Sequence, residues 1–463
     1  MKENQELRQF LSKNNLLKIK PLDPRDAFYG GRCGNTAIHV TGKMGYVDVR
    51  SLYPFVCKYG KYPIGHPRVY VGRECTTLTG PENNDISRVE GLISCDILPP
   101  RNLYHPVLPV KCHCKLLFPL CRTCCHEMVQ EDCDHEVEND RIFTGSWVVD
   151  EVKKAVEYGY KVKKVHEIWQ YEITQYDKAT KRGGLFRDYI DEFFKQKVMC
   201  SGFPAGCVTD QDKEAYVQEL RRDEGIELTV QEICDNAGAR SVAKLCCNSM
   251  WGKMAQRENM GTTEVITEPE KFFNLLAGPE IEITAFLPVS DQVLYVRWCY
   301  RNEAVQGSLN TNVVVAAYTT AQARIILHSY LEPLGERAKY FDTDSIIYLL
   351  SDRPGAYEPK LGPLLGDMVD ELGVYGDGSY ISELISGGPK FYAYEVTKHN
   401  GEKVYICKIK GITLTYKTTS LLNFQALCEL VMGRSEHVTV TTENIRRTMF
   451  HDAVTRKKIV VPY

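Results

Sequence analysis

The most informative segment of this chain is Tyr340-Phe341-Asp342-Thr343-Asp344-Ser345-Ile346-Ile347-Tyr348-Leu349. Two carboxylates stand one residue apart, and the residues on both sides favour β-strands. In a strand, residues i and i+2 share a face, so Asp342 and Asp344 are expected to project together from the tip of a hairpin with buried arms. Two like charges in a buried place require a positive neutraliser. The segment therefore predicts a pair of divalent metal ions and in-line displacement at phosphorus.

A third carboxylate stands in a similar setting, in the segment Gly45-Tyr46-Val47-Asp48-Val49-Arg50-Ser51-Leu52-Tyr53-Pro54. A short β-rich run ends at Asp48 and leads into a turn closed by a proline, which cannot donate a backbone hydrogen bond. Asp48 is therefore expected at a strand end, facing the same metal ions. A lone Asp-x-Asp also occurs in phosphatases, in glycosyltransferases and in solvated turns, so the acidic pair needs further support.

A predicted helix supplies positive charge. Residues 240–253 favour a helix, and the i, i+4 rule places Arg240, Lys244 and Asn248 on one face. A solvated basic stripe is the alternative explanation. We prefer a nucleotide site, because the stripe ends in polar and ring-bearing groups that suit a sugar and a base, namely Asn248-Ser249-Met250-Trp251-Gly252.

Three motifs thus follow one another along the chain: DxxSLYP at 48–54, KLxxNSx[aromatic]G at 244–252 and YxDTDS at 340–345. In this order they resemble motifs A, B and C of the family B DNA polymerases. Two further segments resemble the protein-primed subtype, which includes polymerases of certain bacteriophages, adenoviruses, linear plasmids and Maverick or Polinton transposons. Residues 28–32 (Phe28-Tyr29-Gly30-Gly31-Arg32) resemble its YxGG element, with Phe28 where the tyrosine stands, and Lys390-Phe391-Tyr392 resembles its KxY element.

The resemblance implies an α+β protein with the right-hand polymerase fold of palm, fingers and thumb, plus inserted segments. The motif positions predict seven segments. They are a lead-in with the YxGG-like loop (1–45), a first part of the palm with motif A (46–110), a cysteine-rich insertion (111–210), fingers with motif B (211–260), a second insertion (261–312), a second part of the palm with motif C and the KxY-like element (313–400), and a thumb (401–463).

The resemblance also implies roles for individual residues. Asp48 and Asp344, with the Val49 carbonyl, are expected to hold two Mg²⁺ ions, and Asp342 to be a weaker or indirect ligand. The other expected roles are triphosphate binding by Lys244 and Arg240, exclusion of a 2′-hydroxyl by Tyr53, contact with the nascent base pair by Asn248 and Ser249, and non-sequence-specific primer-template contact by Gly30, Gly31, Lys390 and Tyr392. Trp251 departs from the tyrosine usual in motif B, and no role is assigned to Arg50.

Local patterns predict four further elements. Residues 144–159 have a helical pattern with Thr144 or Ser146 as its cap and Gly159 as its stop. Alternation predicts a strand at 161–171. Residues 185–198 predict an amphipathic helix. Residues 313–330 predict a long core helix that stops before Pro333 and packs beneath the motif C hairpin.

Six cysteines lie between Cys112 and Cys133, with three histidines among and just after them. Cys121-x2-Cys124 and Cys133-x-His135 supply four soft ligands, which predicts a structural Zn²⁺ site. Cys112, Cys114, Cys125 and His126 are competing ligands. A cysteine-rich insertion without metal is the alternative.

Composition is that of an ordinary globular protein, with 463 residues, 43% hydrophobic and 25% charged. The net charge of −3 is low for a DNA-binding protein, so the basic residues must be concentrated locally, for example near 390–410 and 446–458. No apolar run reaches membrane-spanning length, and the first residues lack a secretory core. We therefore expect no membrane partner and an intracellular, reducing compartment, in which the 18 cysteines are thiols or metal ligands.

The sequence leads us to predict a template-directed DNA polymerase whose partners are primer-template DNA, deoxynucleoside triphosphates and a possible terminal protein for priming. Only 47 residues precede Asp48, too few for a 3′-5′ exonuclease domain, so the chain is expected to lack its own proofreading. A non-catalytic DNA-binding remnant of a transposon or viral polymerase is the alternative. A phosphohydrolase built around residues 341–345 would leave motifs A and B unexplained.

Overall fold

The structure is a computed structural model that describes residues 20–204, 207–305, 307–412, 414–435, 437–445 and 454–462. This part of the chain combines helices and sheets, which confirms the predicted α+β class. It divides into two compact units. The first contains Gly42–Met254, Asn312–Ile381 and the residues up to Ala37, and the second contains Ile38–Thr41, Ala255–Thr311 and the residues from Ser382 on.

The described part of the chain contains both strands and helices. The strands are β1 (Cys33–Asn35), β2 (His39–Val49), β3 (Lys61–Val71), β4 (Gly91–Leu98), β5 (Val110–Cys112), β6 (Lys115–Leu117), β7 (Phe143–Val148), β8 (Lys161–Gln175), β9 (Thr262–Ile266), β10 (Ile281–Ser290), β11 (Val293–Tyr300), β12 (Ala338–Asp342), β13 (Ser345–Leu349), β14 (Met368–Asp370), β15 (Tyr380–Gly388), β16 (Phe391–Thr397), β17 (Lys403–Ile409), β18 (His437–Ile445) and β19 (Val454–Pro462). The helices are α1 (Leu52–Tyr59), α2 (Thr76–Thr79), α3 (Arg122–Glu127), α4 (Glu138–Arg141), α5 (Val149–Glu157), α6 (Arg187–Met199), α7 (Asp210–Glu219), α8 (Ala237–Met254), α9 (Pro269–Ala277), α10 (Val313–Leu334), α11 (Tyr416–Thr419) and α12 (Phe424–Val431). Within the described residues, we find no helix with the length and apolar composition that a bilayer crossing needs.

The sheet that carries both acidic motifs belongs to the first unit. Its strands lie in the order β1, β12, β13 and β2, and β14 pairs with the end of β2. All of these pairs are antiparallel. Along β2, Val47 and Val49 are buried, whereas Asp48 between them is partly exposed. This alternation places the apolar side chains in the core and directs the carboxylate away from it.

The long helix α10 packs against this sheet, as predicted. Its Ala321 shares an apolar cluster with Ile346 of β13. Thr319 and Arg324 interrupt the apolar sequence of the helix, yet both are buried, so α10 is a core helix. It continues through Pro333, past the predicted stop. A proline this close to the helix end removes one backbone hydrogen bond and interrupts no later turn.

A second antiparallel sheet of the first unit has the strand order β3, β8, β4, β7. Strand β8 confirms the strand predicted at 161–171 and extends it to Gln175. The helix predicted from residue 144 is wrong over its first part, because residues 143–148 form β7 and α5 begins at Val149. Trp147 pairs with Ile93 of β4 and is fully buried, so packing outweighs the helical pattern. Gly159 follows α5 at a φ of +88°, which glycine adopts readily, so its predicted role as a stop is confirmed.

Helices α6, α7 and α8 share a separate apolar cluster in the first unit. Helix α6 confirms the helix predicted at 185–198. Its Ile190 and Phe194 pack with Cys247 of α8, and Val217 of α7 joins them. The cluster therefore combines helices from both sides of the segment boundary predicted between residues 210 and 211. The seven predicted segments remain predictions.

The second unit contains smaller sheets. Strands β10, β11 and β9 form a three-stranded antiparallel sheet within the predicted second insertion. Strands β16 and β17 pair antiparallel, and Leu427 and Leu430 of α12 join the apolar cluster against them. Strands β18 and β19 form a two-stranded pair within the predicted thumb.

Candidate active site

The motif C carboxylates lie at the tip of a tight hairpin. Asp342 is the last residue of β12 and pairs with Ser345, the first residue of β13, so Thr343 and Asp344 form the turn. Thr343 has a φ of +62°, and the Asp344 N–H donates to the Asp342 carbonyl at 2.6 Å. Both carboxylates are at the tip, as predicted, but the reversal of the turn, rather than alternation along one strand, brings Asp344 there.

The motif A carboxylate lies beside this turn. Asp48 pairs with Ser345, and the N–H of Val49 donates to the Asp344 carbonyl at 2.7 Å. The pKa of Asp48 is raised to about 8, chiefly by burial and also by the charges of Asp344 and Glu371, against the opposing charge of Lys244. Glu371 was not predicted from the sequence. Hard carboxylate oxygens that repel one another at a half-buried place fit a divalent cation such as Mg²⁺.

Side-chain donors hold the Asp342 carboxylate. Its Oδ1 accepts a hydrogen bond from the Cys33 thiol at 2.8 Å and from the Thr343 hydroxyl at 3.1 Å. Its Oδ2 accepts one from the Tyr340 hydroxyl at 3.5 Å. These donors hold the Asp342 carboxylate in place within the protein, which supports the prediction of a weaker or indirect role in metal binding.

The YxGG-like loop, residues 28–32, packs directly on the motif C turn. The Thr343 N–H donates to the Arg32 carbonyl at 2.7 Å. A Cβ atom on Gly31 would lie 2.9 Å from the Thr343 side chain, so only glycine allows this approach. A Cβ atom on Gly30 would meet no atom within 4 Å, and Gly30 is exposed. The two glycines therefore differ: Gly31 supports the turn, and Gly30 is open to solvent.

Arg324 of α10 holds the same loop and was not identified from the sequence as a site residue. Its Nη1 donates to the carbonyls of Tyr29 and Gly30, at 2.7 Å each. Its Nε and Nη2 donate to the two carboxylate oxygens of Glu151 at 2.8 and 2.7 Å. Both side chains of this ion pair are almost fully buried. The sequence signal was an arginine within an apolar helix, which does not reveal its partner.

The motif B helix α8 presents its predicted polar face to solvent. Arg240, Lys244, Asn248 and Ser249 are all exposed. The opposite face contributes Ala243 and Cys247 to the core. The Lys244 charge lowers the pKa of Asp48, so Lys244 lies close enough for its charge to act on the acidic site. The structure therefore brings the predicted cation of motif B and the carboxylates of motifs A and C into one site.

Lys197 of α6 is a further cation that the sequence reasoning missed. Its Nζ donates to the Ser51 hydroxyl at 2.8 Å, directly after motif A's Asp48 strand. The pKa of Lys197 is lowered to about 8, chiefly by burial; Cys247 opposes this shift, and the charges of Arg50, Lys244 and Arg240 add to it. We call these four cations, Arg50, Lys197, Arg240 and Lys244, the cation cluster. They come from three separate segments, so no spacing rule links them, and the cluster gives Arg50 a place in the site.

Tyr53 and Trp251 form a stacked pair, with ring centroids 4.4 Å apart and an angle of 24° between the ring planes. The pKa of Tyr53 is raised to about 12, chiefly by burial and also by the charge of Asp344. Tyr53 therefore stacks on the motif B ring, close enough to the acidic turn for the charge of Asp344 to affect its pKa. The tryptophan at the motif B position supplies a large stacking surface for Tyr53, which gives this departure from the usual tyrosine a physical role.

Lys390 and Tyr392 belong to the second unit. Lys390 is exposed, in the turn between β15 and β16, with a φ of +61°. Tyr392 is only 6% exposed and stacks on Tyr394. Lys390 therefore has an accessible side chain. The Tyr392 ring is buried, and this burial does not support its predicted contact with DNA. The basic residues of 446–453 lie outside the described residues.

The cysteine-rich segment brings together the four predicted zinc ligands. The ligand atoms of Cys121, Cys124, Cys133 and His135 all lie within 4.8 Å of one another. The described cysteines form no disulfide. Among the competing residues, Cys112 contacts His126 (Sγ to Nδ1, 3.6 Å).

Comparisons with known proteins agree with the motifs. The family described as DNA polymerase type B, organellar and viral, matches residues 23–200. A protein named "Probable DNA polymerase" from Neurospora intermedia is 22% identical over 404 residues, which cover 86% of this chain and 33% of that protein. The chain thus spans about a third of this relative.

Solved structures share the fold. The Phi29 DNA polymerase complexed with primer-template DNA and incoming nucleotide matches with a TM-score of 0.58 and 15% identity, over 99% of this chain and 66% of that one. The post-translocation complex of the same polymerase with primer-template DNA matches with a TM-score of 0.58 and 16% identity, over 98% and 66%. These matches confirm the predicted right-hand polymerase fold. The motifs, the family match over residues 23–200 and the shared fold agree with the predicted resemblance to the family B DNA polymerases of the organellar and viral type.

Proposed function

We propose that this chain is a template-directed DNA polymerase that adds deoxynucleotides to a primer 3′-hydroxyl by two-metal phosphoryl transfer. The observation that carries the proposal is the direct approach of motifs A and C, in which Asp48 pairs beside the Asp344 turn and the Val49 N–H bonds to the Asp344 carbonyl. Such a pair of carboxylates on one sheet is suited to a pair of divalent ions.

The metal ligands in this proposal are the carboxylates of Asp48 and Asp344 and the carbonyl of Val49. Bound Mg²⁺ would supply activation of the 3′-hydroxyl and stabilisation of the leaving pyrophosphate. The chain contributes the placement of the ligands: the hairpin fixes Asp344, the β2 register fixes Asp48, and hydrogen bonds fix Asp342 beside them.

The triphosphate is assigned to the cation cluster. Lys244 lies near Asp48, and Arg240 lies one turn earlier on the same exposed helix face. Lys197 and Arg50 extend the positive charge towards the end of motif A. Cations placed in advance around the phosphates neutralise the charge that develops on them during transfer.

Sugar and base contacts are assigned to Tyr53 and to the end of the motif B face. The Tyr53 ring, held against Trp251, would exclude a 2′-hydroxyl by its shape. Asn248 and Ser249 are exposed and able to border the nascent base pair.

The proposed partners are primer-template DNA and deoxynucleoside triphosphates, as in the Phi29 complexes that share this fold. Gly30, Gly31 and Lys390 are assigned to the DNA backbone, with Tyr392 as a supporting residue beneath. A terminal protein is the proposed priming partner, in line with the protein-primed group. Zinc belongs to a separate site that takes no part in phosphoryl transfer.

A primer-extension assay tests the proposal. The protein is incubated with a primed template and deoxynucleotides, with Mg²⁺ and with a chelator. Extension that follows the template and requires the metal supports the proposal. DNA binding without extension at any Mg²⁺ concentration would instead identify a non-catalytic DNA-binding remnant.

A further inference from the structure

We propose that Cys121, Cys124, Cys133 and His135 bind one structural Zn²⁺ ion, which orders residues 118–141 and supports the YxGG-like loop from behind. This site is separate from the proposed catalytic carboxylates of motifs A and C. Zinc can therefore bind there whether or not the chain is an active polymerase. The proposal rests on ligand geometry, on the burial pattern of the segment, and on its contacts with Arg32.

The distances between the ligand atoms suit tetrahedral zinc. Zn–S bonds of about 2.3 Å and a Zn–N bond of about 2.0 Å place each sulfur about 3.5 Å from the nitrogen in a tetrahedron. The Nδ1 atom of His135 lies 3.7 Å from the Cys121 Sγ, 3.4 Å from the Cys124 Sγ and 3.7 Å from the Cys133 Sγ. One nitrogen in contact with three thiols has the ligand set and spacing of a closed structural site.

The burial pattern of the segment gives the metal a structural purpose. Residues 128–137 contain no helix or strand, and every side chain in this stretch is exposed except that of His135. Met128 is 63% exposed and Val137 is 58% exposed, so the stretch has no apolar anchor in the core. The inward-facing group is instead a metal ligand. Binding zinc would supply the free energy that the missing apolar burial does not.

Polar contacts position the ligand-bearing pieces. Cys121 precedes helix α3, and its carbonyl accepts a hydrogen bond from the Cys125 N–H at 3.1 Å. On the other side, the Arg101 guanidinium donates to the carbonyls of His135 and Glu136 at 3.1 and 3.4 Å. Hydrogen bonds also connect the two halves, from the Arg122 guanidinium to the Asn139 carbonyl at 3.0 Å and from the Thr123 hydroxyl to the Asp140 carbonyl at 2.9 Å, and the ion would join the same halves at their ligands.

The segment also touches the loop that supports the motif C turn. The Arg32 guanidinium lies 4.3 Å from the centre of the Phe118 ring, three residues before Cys121. The Arg32 carbonyl in turn accepts the Thr343 N–H. Loss of zinc is therefore expected to loosen Phe118, then Arg32, and only then the acidic turn.

The cysteine and histidine neighbours offer a matched control. Cys114 lies just before this segment and is exposed, and no described residue completes a four-ligand group around it. Cys114→Ser should therefore leave the zinc content unchanged, whereas Cys124→Ser should remove a ligand.

The test measures metal in full-length protein purified without chelator from zinc-supplemented medium. The parent and Cys114→Ser should contain about one zinc per chain, and Cys124→Ser should contain close to none. Co²⁺ exchanged into the parent should give the intense visible bands of tetrahedral thiolate coordination, a readout that requires no variant to fold. A parent protein without zinc and without these Co²⁺ bands would overturn the proposal, as would full zinc retention by Cys124→Ser.

Proteolysis tests the ordering of the segment. In the parent, zinc removal should make Glu131 and Glu136 the first positions cut by a glutamate-specific protease, because both lie in the exposed stretch. Equal cutting rates with and without zinc would contradict the ordering role. If the purified parent protein contains zinc but does not extend a primer, the proposed polymerase function is wrong and the zinc site stands. If the purified parent protein extends a primer but contains no zinc, the zinc site is wrong and the polymerase function stands.

Discussion

Arg324→Met is expected to lower the free energy of unfolding by about 3–5 kcal/mol, because it leaves the Glu151 carboxylate buried without its partner. The side chains of Arg324 and Glu151 are 2% and 1% exposed, so water cannot replace the lost ion pair. Removing one partner of a buried ion pair strongly destabilises the fold, because the other charge stays buried and unpaired. Replacing both partners by apolar residues is often neutral.

The double variant Arg324→Met/Glu151→Met separates the charge from the hydrogen bonds. Replacing both charges by apolar groups of similar length is nearly neutral for the ion pair itself. The carbonyl of the buried Tyr29 still loses its donor, which costs about 1–3 kcal/mol, whereas the exposed Gly30 can turn to water. The double variant should therefore be about 2 kcal/mol more stable than Arg324→Met and still less stable than the parent.

Urea unfolding followed by tryptophan fluorescence measures these differences. Arg353→Met, at an exposed position of the same unit, is the matched control and should stay within about 0.5 kcal/mol of the parent. The reasoning is refuted if Arg324→Met unfolds within about 1 kcal/mol of the parent, or if the double variant is no more stable than the single one. If the YxGG-like loop contacts DNA as proposed, the double variant should also bind primer-template more weakly than its stability loss explains.

Three further predictions concern the proposed chemistry. Asp344→Asn should abolish nucleotide addition in a primer-extension assay and leave DNA binding largely intact, while the exposed Asp352→Asn should behave as the parent; comparable extension by Asp344→Asn would remove the assignment. Tyr53→Val should relax discrimination against ribonucleotides by on the order of a hundredfold in single-nucleotide incorporation, whereas Tyr53→Phe keeps the ring and the discrimination; an unchanged ratio in the valine variant would mean that Tyr53 serves only the core. Because the pKa of Lys197 is lowered to about 8, its ammonium is present below that pH and lost above it. Deoxynucleotide affinity, measured on a primer without a 3′-hydroxyl, should therefore weaken as pH rises through about 8 in the parent but not in Lys197→Met, and equal pH profiles would exclude Lys197 from triphosphate binding.

The predictions made from the sequence alone rested on patterns among residues that are close to one another in the chain. The order of the three motifs carried the resemblance to the family B DNA polymerases and predicted the fold. Covalent proximity placed Asp342 and Asp344 at one hairpin tip, and the helical repeat placed Arg240 and Lys244 on one face. The same reasoning selected the four zinc ligands, since each half of the set is joined by a few residues of chain. In each case the positions are only a few residues apart in the sequence, so the local backbone conformation determines the distance between them.

Other contacts depend on packing between distant segments, and no repeat in the sequence encodes them. Residues 144–148 had a helical pattern and became a strand, because pairing with β4 buried Trp147. Lys197 reaches Ser51, Tyr53 stacks on Trp251, and Arg324 joins Glu151 to the YxGG-like loop, each across more than a hundred residues. A periodic pattern shows which face of an element is apolar, but the partner of that face follows from how all the elements share one core. For this reason the residue types of the site could be predicted from the chain, whereas its cation cluster and its buried supports required the folded structure.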